Sequence, residues 1–452
     1  MKRRTRLRRQ RRTWAAWVIV GAVAAATPAL AHGTLETVSV AVGGQAADFH
    51  SQEPTVSADG RYVGFASLAR NLPGPLGHDW NLFVRDRKLR RTVPASVGRG
   101  GEAQDGWSIG PSISADGRFV AFTSSSSNLV AGDRNEKIDV FVRDLRRGTT
   151  RLVSLGPGGR QANWASEHAV LSGDGRYVAF YSGATNLVPH DRNEKVDVFV
   201  HDLHRSRTEL ASVAADGGQG DDASGYPEEG LAISRNGRFV VFASGATNLV
   251  PGDDNEAVDV FLRDRALGTT ELVSVGPGGV RGNASSGYVA MGLAVSPDGR
   301  FVAFLSDATN LVRGDSNGVP DVFVRDRKAN TTTRVSVGRS GVQANGGSGI
   351  ADTTLGLSDD GRFVAFSSVA TNLVPRDDGA WSDVFVHDRL ARRTIRVSES
   401  RGGKPGSGES RQPALSADGR TVAFVSSATN LLPGHPAASV PWDQVLVRSP
   451  LR

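Results

Sequence analysis

The stretch Ile113–Gly156, ISADGRFVAFTSSSSNLVAGDRNEKIDVFVRDLRRGTTRLVSLG, recurs along the chain and decides the fold. Its frame begins again at six other places, which are Val56, Leu171, Ile233, Val295, Leu357 and Leu415. In chain order, successive starts lie 57, 58, 62, 62, 62 and 58 residues apart. Self-similarity at a nearly constant period predicts a repeat architecture in which each unit is one supersecondary element. We number these units 1 to 7 in chain order.

Each unit predicts four short strands. In unit 2 the pair Asp116-Gly117 is a strong hairpin signal, because its two-residue turn needs positive φ angles. The strands predicted around it are Pro111–Ser114, Arg118–Thr123, Asp139–Arg143 and Thr149–Val153, the first being only a brief apolar lead. Apolar side chains occupy both faces of the second strand, which predicts a sheet covered on both sides. Blades stacked around a central axis satisfy this requirement.

The two ends of the chain predict that the ring of blades is closed. The last unit reaches its third strand at Val445–Val447 and stops at Arg452 without a fourth strand. The segment Gly33–Val40 matches the fourth-strand segment of unit 4, Gly268–Val275, nearly residue for residue. Pairing strand 35–40 with the last unit would remove exposed sheet edges, and the polar capping repeats of an open solenoid are not visible. We therefore predict an all-β, seven-bladed β-propeller of four-stranded antiparallel blades, closed by its N-terminal strand in the last blade.

The repeated frame P-x-x-S-x-D-G-R-x-V-A-F-x-S resembles the propeller repeats of TolB-like proteins, which are related to the WD-type repeat. The resemblance covers the chain from Gly33 to Arg452. It implies a propeller, and it implies little about function, because such repeats occur in interaction modules, in enzyme appendages and in many secreted proteins. TolB-like proteins typically have fewer blades and a separate N-terminal domain. The role of TolB in an envelope-spanning complex is therefore not carried over to this chain.

The N-terminus predicts an export signal. Its basic residues are Lys2, Arg3, Arg4, Arg6, Arg8, Arg9, Arg11 and Arg12. An apolar run, Trp14–Ala26, and a small-x-small pattern, Ala29-Leu30-Ala31, follow them, as in a secretory signal peptide. The apolar run is shorter than the roughly 20 residues that span a bilayer. We expect residues 1–31 to be a signal peptide cleaved near Ala31, by the general or the twin-arginine route, and the mature protein to be secreted or held in the cell envelope without a membrane span.

Most of the chain's apparent basicity belongs to that segment. Of 53 Lys and Arg residues, eight precede residue 32, which leaves 45 basic against 47 acidic side chains. Nucleic-acid binding, which needs a concentrated basic surface on the folded domain, loses its support. The chain contains no cysteine, which excludes disulfides and thiolate metal sites. We expect residues 32–452 to form a single propeller domain, and a monomer.

Strand order predicts two different rims. The connections from fourth to first and from second to third strands emerge on one side, which we call the long-loop rim, and the tight turns emerge on the other, the short-turn rim. Long loops on a rigid scaffold are where binding residues concentrate. Six aromatic residues of these loops are candidate ligand contacts, namely Trp80, Trp107, Trp164, Tyr226, Tyr288 and Trp381. Aromatic rings suit stacking on sugars and peptide side chains, and the equally open alternative is that they plug the channel or pin the loops. The leading hypothesis is a secreted binding module for a protein, peptide or carbohydrate.

The loop before the third strand carries a repeated Asp-x-Asn-x-x-x-Asp element in units 2 to 5. Its residues are Asp133, Asn135, Asp139, Asp191, Asn193, Asp197, Asp253, Asn255, Asp259, Asp315, Asn317 and Asp321. Alternating side-chain oxygens on a tight loop are what Ca²⁺ requires. The element lacks the glycine and the closing glutamate of a full calcium loop. The alternative is that Asp and Asn form Asx-turns that start the third strand.

The sequence offers little support for catalysis. The string Gly106–Gly110 matches G-x-S-x-G, but it leads into a strand rather than forming the strand-to-helix turn that exposes a nucleophilic serine. A rival hypothesis is an exported propeller enzyme, of the polysaccharide lyase or glycoside hydrolase type, for which the candidate residues are Glu167, His168, Glu228 and Glu229. A third hypothesis is a structural envelope or matrix protein without a dedicated ligand.

Two further repeated residues predict scaffold roles. An asparagine precedes leucine in every unit, at Asn71, Asn128, Asn186, Asn248, Asn310, Asn372 and Asn430. We expect its amide to satisfy backbone groups of the loops, since buried backbone groups require partners. The arginine after each Asp-Gly turn, such as Arg118 or Arg300, is expected to pair with an acid of its own or the adjacent blade.

Overall fold

The repeats fold into four-stranded antiparallel sheets, as expected. The computed structural model describes residues 33–225, 230–287, 292–349, 354–377, 381–432 and 442–451. Within these ranges the strands form seven sheets of four, and three short 3₁₀ turns are present at Pro157–Gly159, Pro277–Gly279 and Arg339–Gly341. Residues His32–Arg452 form one compact unit. The predicted signal peptide, residues 1–31, lies outside the described residues.

The strands, in chain order, have the following bounds. Blade 1 comprises β2 (Ser51–Val56), β3 (Tyr62–Ser67), β4 (Asn81–Asp86) and β5 (Arg91–Pro94). Blade 2 comprises β6 (Ser108–Ile113), β7 (Phe119–Ser124), β8 (Asp139–Asp144) and β9 (Thr149–Leu152), and blade 3 comprises β10 (Ser166–Leu171), β11 (Tyr177–Ser182), β12 (Asp197–Asp202) and β13 (Arg207–Leu210). Blade 4 comprises β14 (Leu231–Ile233), β15 (Phe239–Ser244), β16 (Asp259–Asp264) and β17 (Thr269–Leu272). Blade 5 comprises β18 (Leu293–Val295), β19 (Phe301–Ser306), β20 (Asp321–Asp326) and β21 (Thr331–Arg334), and blade 6 comprises β22 (Gly356–Leu357), β23 (Phe363–Ser368), β24 (Asp383–Asp388) and β25 (Arg393–Arg396). Blade 7 comprises β26 (Ser410–Leu415), β27 (Val422–Ser426), β28 (Gln444–Ser449) and β1 (Thr34–Thr37).

The ring closes through the pairing that the chain ends predict. Strand β1 runs antiparallel to β28, with Thr34 opposite Ser449 and Thr37 opposite Leu446. The backbone N–H of Val38 continues the ladder by donating to the carbonyl of Val445 at 2.9 Å. The N-terminal strand therefore supplies the fourth strand of blade 7, and the predicted seven-bladed propeller is confirmed.

The core lies between neighbouring blades. In blade 2, Phe122 and Phe141 are fully buried and stack with ring centroids 5.8 Å apart. Valine and alanine side chains from the other face of that blade, such as Val140 and Ala121, pack against Val178 of blade 3. Each sheet is thus covered on both faces, which explains why its middle strands are apolar on both sides.

The two repeated polar residues hold the scaffold. Arg118 donates through Nε and Nη2 to both carboxylate oxygens of Asp144 in its own blade, at 3.1 and 2.7 Å. Asn128 donates through Nδ2 to the carbonyl of Ala103 at 2.8 Å, and its Oδ1 accepts from the N–H of Asp105. Equivalent bonds recur in other blades, so the predicted scaffold roles are confirmed.

The first strands differ between two groups of blades. In blades 1, 2, 3 and 7 this strand has six residues and a register shift, whereas in blades 4, 5 and 6 two or three of the described residues form it. The expectation of a brief apolar lead is therefore wrong for the first group. The reason is a β-bulge, which lets the strand begin earlier by placing one residue in the left-handed region. These residues are Glu53, Gly110, His168 and Gln412, with φ angles of 54°, 63°, 58° and 52°.

Candidate functional site

The first strands of all seven blades line an axial channel with a cavity of about 330 Å³. Most of its wall is aliphatic, with Leu231 and Leu293 among the contributing residues. Polar side chains enter it from the bulged strands, among them Glu53, His168 and Gln412. A mostly apolar concavity with a few converging polar groups has the character of a ligand pocket.

The bulge residues are linked from blade to blade. The Gln412 Oε1 atom of blade 7 accepts a hydrogen bond from the backbone N–H of Glu53 in blade 1, at 2.8 Å. Oε2 of Glu53 in turn accepts one from the backbone N–H of Gly110 in blade 2, at 2.7 Å. A residue with a side chain in the left-handed region costs of order 1–3 kcal/mol, and these bonds offset part of that cost. The relay ends at Gly110, because glycine has no side chain to pass it on.

His168 is the bulge residue of blade 3, and its side chain takes no part in the blade-to-blade hydrogen bonds. Its ring packs on Tyr181 with centroids 5.4 Å apart, and it makes no hydrogen bond to any other described residue. Burial lowers the pKa of His168 to about 4, so the imidazole is neutral near pH 7. Burial also raises the pKa of the adjacent Glu167. A neutral imidazole in strained backbone on a channel wall is a candidate contact for a ligand.

The rim aromatics fall into two groups. Trp164 and Trp381 are 60% and 49% exposed. The Trp164 ring lies over Gly183, where an added Cβ would stand 2.8 Å from Cδ1, and the Lys137 ammonium lies 5.8 Å from the ring centroid. These contacts hold the ring in place while leaving it largely exposed.

The other predicted aromatics are more enclosed or lie elsewhere. Trp80 and Trp107 are half-buried, and Trp80 packs on the apolar cluster between blades 1 and 2. Trp80 therefore has the loop-pinning contacts of the alternative interpretation. Tyr226 and Tyr288 lie outside the described residues, as do Glu228 and Glu229 of the enzyme hypothesis.

An aromatic cluster on the long-loop rim was missed by sequence reasoning. Phe49, His50 and Trp442 lie with ring centroids 4.6 to 5.3 Å apart. Nδ1 of His50 lies 3.2 Å from a carboxylate oxygen of Asp443, which also binds the Arg411 guanidinium at 2.8 Å. The tryptophan signal was visible in the sequence, but the cluster joins residues almost 400 positions apart and depends on closure of the ring.

The Asp-x-Asn-x-x-x-Asp loops have Asx-turn geometry. In blade 2 the Asn135 Oδ1 atom accepts from the backbone N–H of Lys137, and Nδ2 donates to Asp139 at 2.8 Å. Asn193, Asn255 and Asn317 likewise accept from the N–H two residues on and donate to nearby oxygens. The asparagine oxygens thus face the backbone rather than the carboxylates. Within the described ranges no three Asp, Glu or His side chains are grouped as a metal site.

The G-x-S-x-G string is structural. Ser108 is fully buried; its hydroxyl donates to the Gln104 side chain at 2.6 Å, and its oxygen lies 2.9 Å from the Ser124 hydroxyl oxygen. A serine enclosed in this way cannot present its oxygen to a substrate, in agreement with the interpretation of the match as chance.

Several solved structures share this fold. The chain is similar to an oligogalacturonate lyase from Vibrio parahaemolyticus, with 12% identity, a TM-score of 0.52, and coverage of 92% of this chain and 97% of that one. An oligogalacturonate lyase solved in complex with manganese is similar at 12% identity and a TM-score of 0.51, over 93% and 98% of the two chains. A TolB from Agrobacterium tumefaciens matches at 14% identity and a TM-score of 0.41, over 82% and 97%. No protein-family model matches the chain, and no curated protein does.

The seven four-stranded sheets define the protein as a seven-bladed β-propeller, and its likeness to the two oligogalacturonate lyases supports the propeller fold. These likenesses establish the fold alone, because propellers at this level of identity carry unrelated functions. No helix among the described residues is long and apolar enough to cross a membrane.

Proposed function

We propose that this protein is a secreted binding module that holds a carbohydrate or peptide on its long-loop rim, over the mouth of the axial channel. The observation that carries the proposal is the exposure of Trp164 and Trp381 on this rim. All five tryptophans after the predicted signal peptide belong to long loops, whereas the exposed large apolar residues of the short-turn rim are Leu89, Leu267 and Leu390. Flat amphipathic rings favour ligands that combine apolar faces with hydroxyl or amide groups.

The channel extends this surface inward. The bulged strands start at the long-loop rim, so the side-chain N–H groups of Gln412 can donate hydrogen bonds to a group that enters from that side. His168 adds a neutral imidazole that is free of hydrogen bonds to described residues. A ligand with a protruding sugar or side chain would use rim and channel together.

The test is a binding screen of the protein from residue 32 onward against a panel of polysaccharides, including oligogalacturonates, and a peptide library. Replacing Trp164 and Trp381 with alanine should weaken capture of any hit at least tenfold, while Leu390→Ala, at an even more exposed site on the opposite rim, should not change it. Equal loss in Leu390→Ala, or full binding by the double variant, would contradict the proposal. Export is tested separately by expressing the full chain and sequencing the N-terminus of the protein recovered outside the cytoplasm.

An exported enzyme of the lyase or hydrolase type is the second candidate. It is favoured by the shifted pKa values of Glu167 and His168 beside the channel, since such shifts concentrate at reacting sites. Incubation with the same polysaccharides, followed by ultraviolet absorbance for lyase products and by reducing-end assay for hydrolysis, distinguishes turnover from binding. Turnover that His168→Gln abolishes would favour the enzyme.

A further inference from the structure

In five blades, two aspartates flank the loop before the third strand, the first half-buried and the second buried. The pairs are Asp133 with Asp139, Asp191 with Asp197, Asp253 with Asp259, Asp315 with Asp321, and Asp377 with Asp383. The second aspartate of each pair is almost or completely inaccessible to solvent. Burial is the largest cause that raises its pKa, to about 6 for Asp139, Asp197 and Asp383. Buried carboxylates require a compensating positive charge or a proton.

An arginine supplies this charge in three of the five pairs. In blade 5, Nη1 of Arg334 lies 2.9 Å from Asp315 and 3.2 Å from Asp321. In blade 6, Nη1 of Arg396 lies 3.5 and 3.4 Å from Asp377 and Asp383. In blade 4, Nε of Arg281, in the loop that follows β17, lies 3.8 Å from Oδ1 of Asp253. The space between the carboxylates is therefore a cation position, which these blades fill from within.

Blades 2 and 3 lack such an arginine. In each blade, one residue of the fourth strand lies opposite the repeated phenylalanine of the third strand. This residue is Arg334 in blade 5, but it is Leu152 in blade 2 and Leu210 in blade 3. The position of Arg281 is taken by the neutral Gln161 and Gln219. Within the described ranges, no lysine or arginine forms an ion pair with the loop aspartates of these blades, which are Asp133, Asp139, Asp191 and Asp197.

Blade 3 differs from blade 2 in one further respect. In blade 2 both oxygens of Asp139 accept hydrogen bonds, from Ser154 and Asn135. In blade 3 the Ser212 hydroxyl donates to Oδ1 of Asp197 at 2.5 Å, but Oδ2 is buried without a hydrogen-bond partner among the described residues. Burial and the negative charge of Asp191 raise the pKa of Asp197, whereas Ser212 and the nearby Asn193 amide, whose Nδ2 donates to the Gly220 carbonyl, lower it. Asp197 is therefore a fully buried carboxylate with an unused oxygen.

We propose that Asp191 and Asp197 bind one divalent, oxygen-seeking cation, Ca²⁺, at the position that the Arg334 guanidinium occupies in blade 5. Two carboxylates provide the charge, and main-chain oxygens and water complete the six to eight ligands that Ca²⁺ takes. This differs from the four equivalent sites expected from the sequence, because the asparagine oxygens are used by the backbone and three of the pairs contain an arginine. The inference is independent of the proposed ligand-binding function.

The test is calorimetric titration of CaCl₂ into chelator-treated protein at pH 7.5, where the carboxylates are ionised. We expect a single site with a dissociation constant on the order of 10⁻⁴ to 10⁻³ M, as in extracellular modules. Asp197→Asn, which has the same shape, should abolish the binding, and Leu210→Arg should abolish it by providing the guanidinium of blade 5. Arg334→Leu should not add a second site, because Asn317 Nδ2 still donates to Oδ2 of Asp321 at 3.0 Å, as Asn135 does to Asp139 in blade 2.

Three results would overturn the proposal. The first is that the unmodified protein binds no Ca²⁺ up to about ten millimolar, which is well above the range for such sites. The second and third are that Asp197→Asn or Leu210→Arg leaves the binding unchanged. Circular dichroism spectra of all variants establish that a loss of binding is not a loss of fold. A protein whose melting temperature depends on pH but not on Ca²⁺ or chelator would show that a proton alone compensates the pair, and would also overturn it.

Discussion

Blades 3 and 5 have the same frame, yet they differ at almost every position that could contact a ligand. Both have a stacked phenylalanine pair and an Arg–Asp pair of nearly identical geometry. Among its described residues, blade 5 has a three-residue first strand, Ala284 at the position of Trp164, and an arginine between its aspartates. Blade 3 instead has a bulged strand with His168, an exposed tryptophan and an aspartate with an unpartnered oxygen. The comparison teaches that the scaffold is repeated, whereas the features suited to binding are confined to particular blades.

The largest expected effect tests what the two blades share. Phe199→Ala in blade 3 and Phe323→Ala in blade 5 should each lower the free energy of unfolding by about 3–5 kcal/mol, because both rings are fully buried. Urea denaturation of the two variants measures this. A difference above about 1.5 kcal/mol between the variants, beyond the usual spread of core substitutions, would contradict the equivalence of the two cores.

The second prediction concerns the arginine that distinguishes the aspartate pair of blade 5 from that of blade 3. Arg334→Leu should destabilise the Ca²⁺-free protein by about 3–5 kcal/mol, because it leaves two carboxylates with buried side chains without a compensating positive charge. Leu210→Met in blade 3 is the matched control, and it should cost less than about 1.5 kcal/mol because it preserves volume and apolarity. If both substitutions had the same small effect, the arginine would not compensate the blade 5 pair.

The pH dependence of stability gives a third comparison. Because the pKa of Asp197 is raised to about 6 in the folded state, above its ordinary value of 3.8, the folded protein binds the proton more tightly than the unfolded chain. The stabilisation is present below pH 4 and is lost as the pH rises through 6, to a limit of about 3 kcal/mol. Relative to Asp197→Asn, the unmodified protein should therefore lose unfolding free energy between pH 4 and 7 in the absence of Ca²⁺. Parallel curves for the two proteins would exclude a raised pKa.

The smallest effect concerns the rim of blade 3. Trp164→Ala should change the free energy of unfolding by less than about 0.5 kcal/mol, since the ring is 60% exposed. Differential scanning calorimetry of this variant beside Trp80→Ala, whose ring packs on a core cluster, checks the distinction between a presented and a pinning tryptophan. A loss for Trp164→Ala as large as that for Trp80→Ala would show that Trp164 also pins its loop.

Much of the fold could be predicted because its signals are local and repeated. The Asp-Gly turns, the apolar middle strands and the match between Gly33–Val40 and Gly268–Val275 each predict structure without knowledge of distant contacts. The bulges were not predicted, although spacings of 57 or 58 residues precede the first strands of blades 2, 3 and 7, in which the described residues contain a bulge. A bulge depends on what the neighbouring blade offers to its backbone, as Gln412 does for Glu53 across 359 positions.

By itself, the sequence determined the number of blades, their strand order and the closure of the ring. The number of repeats gives the number of blades, and the pattern inside one repeat gives the strand order. The match of Gly33–Val40 to a fourth-strand segment gives the closure. Only the tertiary structure decided which tryptophans are exposed and which aspartate pairs contain an arginine. Exposure and charge compensation depend on distances between side chains from different strands and blades. A single substitution, leucine for arginine at the end of a fourth strand, therefore changes the chemistry of a loop whose own residues stay the same.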